Sequence, residues 1–254
     1  MKGSVRTSNR DTQALAVRYL RPVNVSRTAT GLRLSQHGVV ISELRTTAGP
    51  THSVFDVLAT LVSALTPRST GDVGLLGFAG GGMMAPLAAL GYSELIHTVD
   101  LDAKAFRLFR RYCPHWLDRV EWQQSDAAVW LRARHGPFKL LVEDLSIPLE
   151  GDVIKPEICW SALPQLIRQR LRLNGIAIFN LLPPDRSRAT REIEAISQRF
   201  RSARVVDFVE YQNRILVTGR NLPSARALSN SLRRILREMR SKQADRIRVT
   251  GLKN

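Results

Sequence analysis

From residue 73 to residue 200 the chain alternates short apolar runs with stretches of helical periodicity, and it closes with two strands separated only by a turn. Strand 73–79 leads to helix 83–90, which ends at Gly91, and strand 95–100 leads to helix 103–112, stopped before Pro114. Strand 119–124 leads to helix 127–134, stopped near Gly136. Strand 138–144 is followed by a loop containing Pro and Gly and then by helix 157–172. Strand 175–182 precedes Pro183-Pro184 and helix 186–200, and strands 203–210 and 213–219 meet around Tyr211-Gln212. Such alternation dictates a parallel sheet with helices on both faces, because each crossover must span a helix. The last connection is too short for a crossover, so the closing pair is antiparallel. Upstream, 32–46 reads as two short strands around Gln36-His37-Gly38. Residues 53–65 form an amphipathic helix through Val54, Val57, Leu58, Leu61, Val62 and Leu65.

With 254 residues, 44% of them hydrophobic, the chain can bury one sizeable core. Cys113 and Cys159 stand far apart, which argues against a disulfide scaffold or a zinc site and suits a reducing cytoplasm. The five histidines show no metal-ligand spacing. No run approaches the ~18 apolar residues of a membrane span. The net charge of +16 is uneven: residues 1–31 carry +5, residues 220–254 carry +8, and the long middle only +3. The basic ends could meet a polyanion, but 220–254 holds no aromatic residue to stack on bases, and a solubilising role is the simpler reading. The Arg-, Ser- and Thr-rich N-terminus reads as a solvated head rather than a targeting segment.

The apolar strand from Val73 breaks into Gly77-Phe78-Ala79-Gly80-Gly81-Gly82, a turn whose small residues let a ligand approach the backbone. Asp100 ends the next strand within Val99-Asp100-Leu101-Asp102, where a carboxylate can grip a ribose diol. Gly77-x-Ala79-x-x-Gly82 also fits the dinucleotide fingerprint, which leaves NAD open at this point. Ser125-Asp126-Ala127 places another acid after the third strand, either against an adenine amino group or as the N-cap of helix 127–134.

Taken with Phe138 to Pro148 and Asn174-Gly175-Ile176-Ala177-Ile178, these segments resemble the motif series of the spermidine synthase family over residues 32–219. That family contains polyamine aminopropyltransferases and methyltransferase-like proteins. The resemblance implies an α/β, seven-stranded, Rossmann-like sheet of the S-adenosylmethionine (SAM) methyltransferase type, with an antiparallel last strand and a short N-terminal β element. It implies a cofactor site at Gly77, Phe78, Ala79, Gly80, Gly81, Gly82, Asp100, Leu101, Asp126 and Ala127, with Asp144 facing the reacting centre. The cofactor would be SAM, decarboxylated SAM or methylthioadenosine, with no metal, and homodimers are common among relatives.

Two departures favour a methyl donor. The family's glycine loop carries an acid that meets the cofactor amine, where this chain has Gly80. The second acid of its strand-four motif is replaced by Ile147 in Asp144-Leu145-Ser146-Ile147-Pro148. A polyamine needs paired carboxylates to be buried, and both losses remove them. The expected function is therefore SAM-dependent methyl transfer, with an aminopropyltransferase of altered specificity or a catalytically silent binding module as alternatives.

Asp144 is the candidate general base or amine orienter, while period-2 alternation turns Glu143 to the other side of the strand. His52 and Ser146 are weaker candidates near the substrate mouth, His52 competing with a plain helix-start role. Asn180-Leu181-Leu182-Pro183-Pro184 resembles an amino-methyltransferase motif only loosely and reads as a strand-ending loop. The expected organisation is a basic head (1–31), a β element with the first helix (32–70), the SAM-binding domain (71–220), and a basic amphipathic helix or tail (221–254). In that tail, Leu228, Leu232, Ile235, Leu236 and Met239 share one helical face, suited to docking on protein.

Overall fold

The computed structural model describes residues 22–66, 72–133, 137–149, 151–182 and 186–252. Most of the basic head, residues 67–71, Gly136 and Pro183-Pro184 fall outside these residues.

Three antiparallel strands open the described chain: β1 (Asn24–Thr28), β2 (Gly31–Gln36) and β3 (Val39–Leu44). The sequence suggests only the second and third, because β1 lies at the sheet's edge and Asn24, Val25, Ser26 and Arg27 are all exposed. Helix α1 (Val54–Leu65) follows, with Ser53 as N-cap accepting the Phe55 N–H.

The main sheet has eight strands: β4 (Val73–Leu76), β5 (Ile96–Asp100), β6 (Val120–Gln124), β7 (Phe138–Glu143), β10 (Leu171–Leu181), β11 (Ser202–Phe208), β12 (Arg214–Gly219) and β13 (Ile247–Leu252). Their spatial order is β13-β11-β12-β10-β7-β4-β5-β6. Strands β6, β5, β4, β7 and β10 run parallel, and β12 inserts antiparallel between β10 and β11. The expected antiparallel closing pair is present. Seven strands were expected, and β13 makes an eighth. It comes from the tail and pairs antiparallel with β11, Phe208 opposite Ile247. The alternation of Ile247 and Val249 is its sequence signal, and the pairing covers what would be an open edge.

Between the strands lie α2 (Met84–Ala89), α3 (Ala103–Tyr112), α4 (Ala127–Ala133), α5 (Leu163–Arg170), α6 (Arg186–Ser197) and α7 (Ala225–Glu238). Strands buried on both faces read as continuous apolar runs, and neighbouring residues go to opposite cores. Leu75, Leu140, Val142 and Ile178 pack with α1, α2, α3 and α7, whereas Leu76, Leu141, Ala177 and Phe179 pack with α4, α5 and α6. The expected helix 157–172 is shorter than its pattern suggests. It starts as a 3-10 turn at Glu157–Cys159, becomes α5, and yields to β10 at Leu171. The loop before it folds into a small hairpin, β8 (Ile147–Leu149) with β9 (Asp152–Ile154). Among the described residues, no helix is long and apolar enough to cross a membrane.

Chain order reverses between β4 and β7: β5 and β6 extend the sheet on one side of β4, and β7 returns to its other side. At such a switch point adjacent crossovers diverge and open a crevice at the carboxyl ends of the strands.

Candidate functional site

Strand β4 ends at that crevice in a turn held from both sides. The Gly77 N–H donates to the Val99 carbonyl at 2.9 Å, and the Asp144 N–H donates to the Leu76 carbonyl at 2.8 Å. Gly77 has φ +90°, and a Cβ there would stand 2.6 Å from the Asp144 carbonyl oxygen. Both the conformation and the space demand glycine. Gly77→Ala is expected to cost about 2–4 kcal/mol, from left-handed strain plus a clash with backbone that cannot rotate away. Urea denaturation measures it, and a cost under ~0.5 kcal/mol would contradict the close approach.

A cavity of about 730 Å³ opens over this turn. Its lining includes Gly77, Ala79, Asp100, Leu101, Asp126, Ala127, Asp144 and Ser146, and the N-terminal strands close one side with Arg33, Ile41 and Glu43. The structure thus brings eight of the sequence-predicted residues to one space. It places the others elsewhere. Phe78 is buried edge-on against Phe106 and Phe109. Gly81 leaves room for the Phe78 and Phe109 rings, and Gly82 for Phe55. Gly80 lies under β2 and β3, where a Cβ would approach Leu34 Cδ1 to 2.5 Å. His52, with φ +61°, turns to the C-terminal segment, its Nδ1 accepting from the Lys242 N–H at 3.3 Å and its carbonyl from Gln243 Nε2 at 2.9 Å.

Asp100 organises the glycine turn. Its Oδ2 accepts the Ala79 N–H at 2.7 Å and its Oδ1 the Asp102 N–H at 3.1 Å. These bonds also hold Ala79 at φ +45°, an uncommon conformation for a residue with a Cβ. Burial pushes the Asp100 carboxyl above its ordinary range, and backbone N–H donors, Ala79 and Asp102 first, partly offset that rise. Each oxygen keeps a second acceptor direction for a ligand hydroxyl. Asp126 caps α4, its Oδ1 accepting from the Ala128 and Val129 N–H groups at 2.9 Å each. Leu101 is 48% exposed at the wall, an apolar surface on which a planar ring can lie.

Asp144 sits just past β7, half-buried, and burial raises its pKa to about 6. The Lys155 cation and an Asn180 hydrogen bond oppose the rise, while the charges of Glu143 and Asp100 add to it. Asn180 Nδ2 donates to Asp144 Oδ1 at 2.7 Å, and Asn180 Oδ1 accepts from Asn213 Nδ2 at 2.9 Å. Asn180 is therefore more than a strand-ending residue. Its position at the carboxyl end of a central strand is the signal, and Asn213 carries none because it sits in the closing turn.

Glu143 turns away from the cavity, as alternation requires, into a buried ion pair with Lys155 at 2.6 Å, the two side chains 1% and 2% exposed. Lys155 Nζ also donates to the Leu145 carbonyl at 2.7 Å, and Glu143 Oε1 accepts the Leu145 N–H at 2.8 Å. Burial alone would lower the Lys155 pKa, but Glu143 and its neighbours outweigh that and raise it. This pair clamps the backbone that carries Asp144. The sequence shows Glu143 but nothing that pairs it with Lys155.

No protein-family profile matches the sequence, and no curated protein matches it in sequence. Solved structures do match in shape. A probable spermidine synthase from Corynebacterium glutamicum aligns over 90% of this chain and 86% of its own, with 17% identity and a TM-score of 0.69. The spermidine synthase of Thermotoga maritima aligns over 88% and 73%, with 12% identity and a TM-score of 0.60. Human methyltransferase-like protein 13, in complex with SAH, aligns over 73% and 89%, with 18% identity and a TM-score of 0.55. The chain therefore has the fold shared by spermidine synthases and methyltransferase-like proteins.

Proposed function

We propose that this cavity binds a nucleoside sulfonium of the SAM type and that the protein transfers its methyl group to an acceptor. The observation that carries this reading is the convergence of Gly77, Ala79, Asp100, Asp126 and Asp144 on one cavity at the switch point. The chemistry of the lining fits. Asp100 faces a ribose diol, Leu101 and Ala127 flank a base, and Asp126 can accept from an exocyclic amine. Among the described lining residues, Glu43, Asp100, Asp102, Asp126 and Asp144 are acidic and Arg33 alone is basic, in a chain of net charge +16. That excess suits a cationic sulfur and disfavours the pyrophosphate of NAD.

Gly77, Ala79, Asp100, Leu101 and Asp126 would hold the cofactor, which would supply an electrophilic methyl carbon on a sulfonium leaving group beside Asp144. Asp144 accepts the proton the acceptor loses. A carboxyl with a pKa of about 6 is a better base than an ordinary one and is still ionised at neutral pH. Asn180 occupies Oδ1 and is itself fixed by Asn213, so Oδ2 is left to face the acceptor.

The acidic lining also favours a second reading, aminopropyl transfer from decarboxylated SAM. Against it stands Ile147, 7% exposed and lining the cavity where an amine-gripping acid would be needed. Calorimetry with SAM, SAH, decarboxylated SAM, methylthioadenosine and NAD separates the readings. Preference for SAM and SAH supports methyl transfer, preference for decarboxylated SAM supports the second reading, and no binding removes both. The pH dependence carries a sign. An ionised Asp144 favours the sulfonium, so SAM affinity is expected to hold above pH 6 and fall below it. A free-state pKa of about 6 sets the loss at up to ~tenfold between pH ~7 and ~5. SAH has no charge on sulfur and should lose less. Equal losses for both ligands would place Asp144 away from the sulfur.

A further inference from the structure

We infer that the opposite end of the sheet carries a second binding site, a cleft for the phosphodiester backbone of single-stranded nucleic acid. The cleft has a volume of about 390 Å³ and is lined by Arg168, Arg172, Arg199, Arg201 and Arg220, with Leu173 at its rim. Arg168 comes from α5 and Arg172 from the start of β10, Arg199 and Arg201 lie between α6 and β11, and Arg220 directly follows β12. Strands β10 and β11 begin here and β12 ends here, so the cleft and the Asp144 cavity occupy opposite edges of the sheet. The two sites are independent, and this inference does not rest on the proposed methyl transfer.

Among its described residues the cleft contains no acid. Three stretches of chain, 168–175, 198–201 and 219–220, bring five arginines to one concavity, a concentration of positive charge that attracts an anion. Arg172 Nε donates to the Pro137 carbonyl at 3.2 Å, and the Arg199 guanidinium to the Ala195 carbonyl. Each bond steadies a side chain, and a guanidinium presents its N–H donors in a planar fork that matches phosphate oxygens. A single phosphate engages one or two such forks, so five of them match a ligand carrying several phosphates in a row. The cleft's concavity suits a strand rather than a flat lipid surface. Leu173 is 77% exposed, and a sugar or base can cover it.

The test uses the full chain and a fluorescein-labelled oligouridylate of ~20 nucleotides, longer than the ~4–16 nucleotides that one domain covers. Anisotropy titrations are run from ~50 to ~200 mM salt; five arginines on phosphates predict a log K against log salt slope near −3.5, at ~0.7 per contact. R201E/R220E is expected to weaken binding at least tenfold and to flatten the slope by about 1.4. R234E/R237E, which changes the net charge equally on the exposed face of α7, is expected to weaken it no more than ~3-fold, an effect of long-range charge alone. R201Q/R220Q, which removes charge without reversing it, should fall between. Unchanged melting temperatures establish that these exposed substitutions leave the fold intact. Equal weakening by the two charge reversals would overturn the cleft, since net charge alone would explain it. So would wild-type binding by R201E/R220E. Full displacement of the RNA by micromolar inorganic pyrophosphate would overturn the nucleic-acid assignment in favour of a small phosphate ligand.

Discussion

Asp100→Ala is expected to lower the affinity for SAM and SAH by about 100-fold or more while the protein remains folded. Two charge-assisted hydrogen bonds to a ribose diol are each worth about 1.5–3 kcal/mol, and the alanine removes both. It also releases the Ala79 and Asp102 N–H groups, so the turn loses the contact that holds Ala79 at positive φ. Saturating ligand raises the melting temperature of the wild type through its binding free energy. That rise should vanish in the variant, and calorimetry should show no heat of binding. Asp100→Asn keeps one acceptor oxygen and should retain an intermediate affinity. Unchanged SAH affinity in Asp100→Ala would remove Asp100 from the ligand site and leave it a purely structural cap of the turn.

Asp56→Ala should produce the largest loss of stability, about 3–5 kcal/mol, because it breaks a buried hydrogen-bond network and strands its donors. Asp56 is fully buried near the start of α1. Its Oδ1 accepts from the Thr51 N–H at 2.7 Å and Thr51 Oγ1 at 2.8 Å, and its Oδ2 from the His52 N–H at 2.9 Å and Ser241 Oγ at 2.6 Å. Alanine leaves four donors facing a void, and each unsatisfied buried donor costs about 1–3 kcal/mol before relaxation. At about 2–4 °C per kcal/mol for a chain of this size, the melting temperature should fall by roughly 10 °C. Because Ser241 belongs to the turn between α7 and β13, amide exchange in those two elements should quicken more than in β4 or β7. Uniform exchange would show that Asp56 does not tie the C-terminal segment to α1.

Much of the sheet was legible in the sequence. Strands β4, β7 and the second half of β10 are apolar runs bounded by turn residues, β5 ends in a carboxylate after a short run, and the helices after β4 and β5 carry stops at Gly91 and before Pro114. Strands β1 and β13 leave little trace in the sequence, β1 because it has no apolar face and β13 because its alternation is short and follows a helical arginine-leucine pattern. The glycine turn was legible as a turn but not residue by residue. Gly80, Gly81 and Gly82 are small because aromatic rings and the N-terminal strands press on them, and only Gly77 and Ala79 border the cavity. Gly80 therefore packs under the N-terminal strands and not at the cavity, whereas Ile147 lines it.

His52 shows the same division. Its place before a helix made it a candidate for the substrate mouth. The structure turns it to Lys242 and Gln243, almost two hundred residues along the chain, through contacts no local pattern encodes.

What the sequence by itself determined is local: alternating strands and helices, the antiparallel hairpin at the end, a tight small-residue turn after β4, and carboxylates at the ends of β5 and β7. Side-chain period and turn chemistry act over a few residues, so they can be read from the chain alone. Only the tertiary structure decided which groups share a space. Asp144 meets Asn180 across 36 residues, Glu143 meets Lys155 across 12, and Asp56 meets Ser241 across 185. The five cleft arginines gather from α5, β10 and the ends of β11 and β12 in the same way. These meetings depend on strand order and register, which follow from packing both faces of the sheet at once, and that is a property of the whole fold.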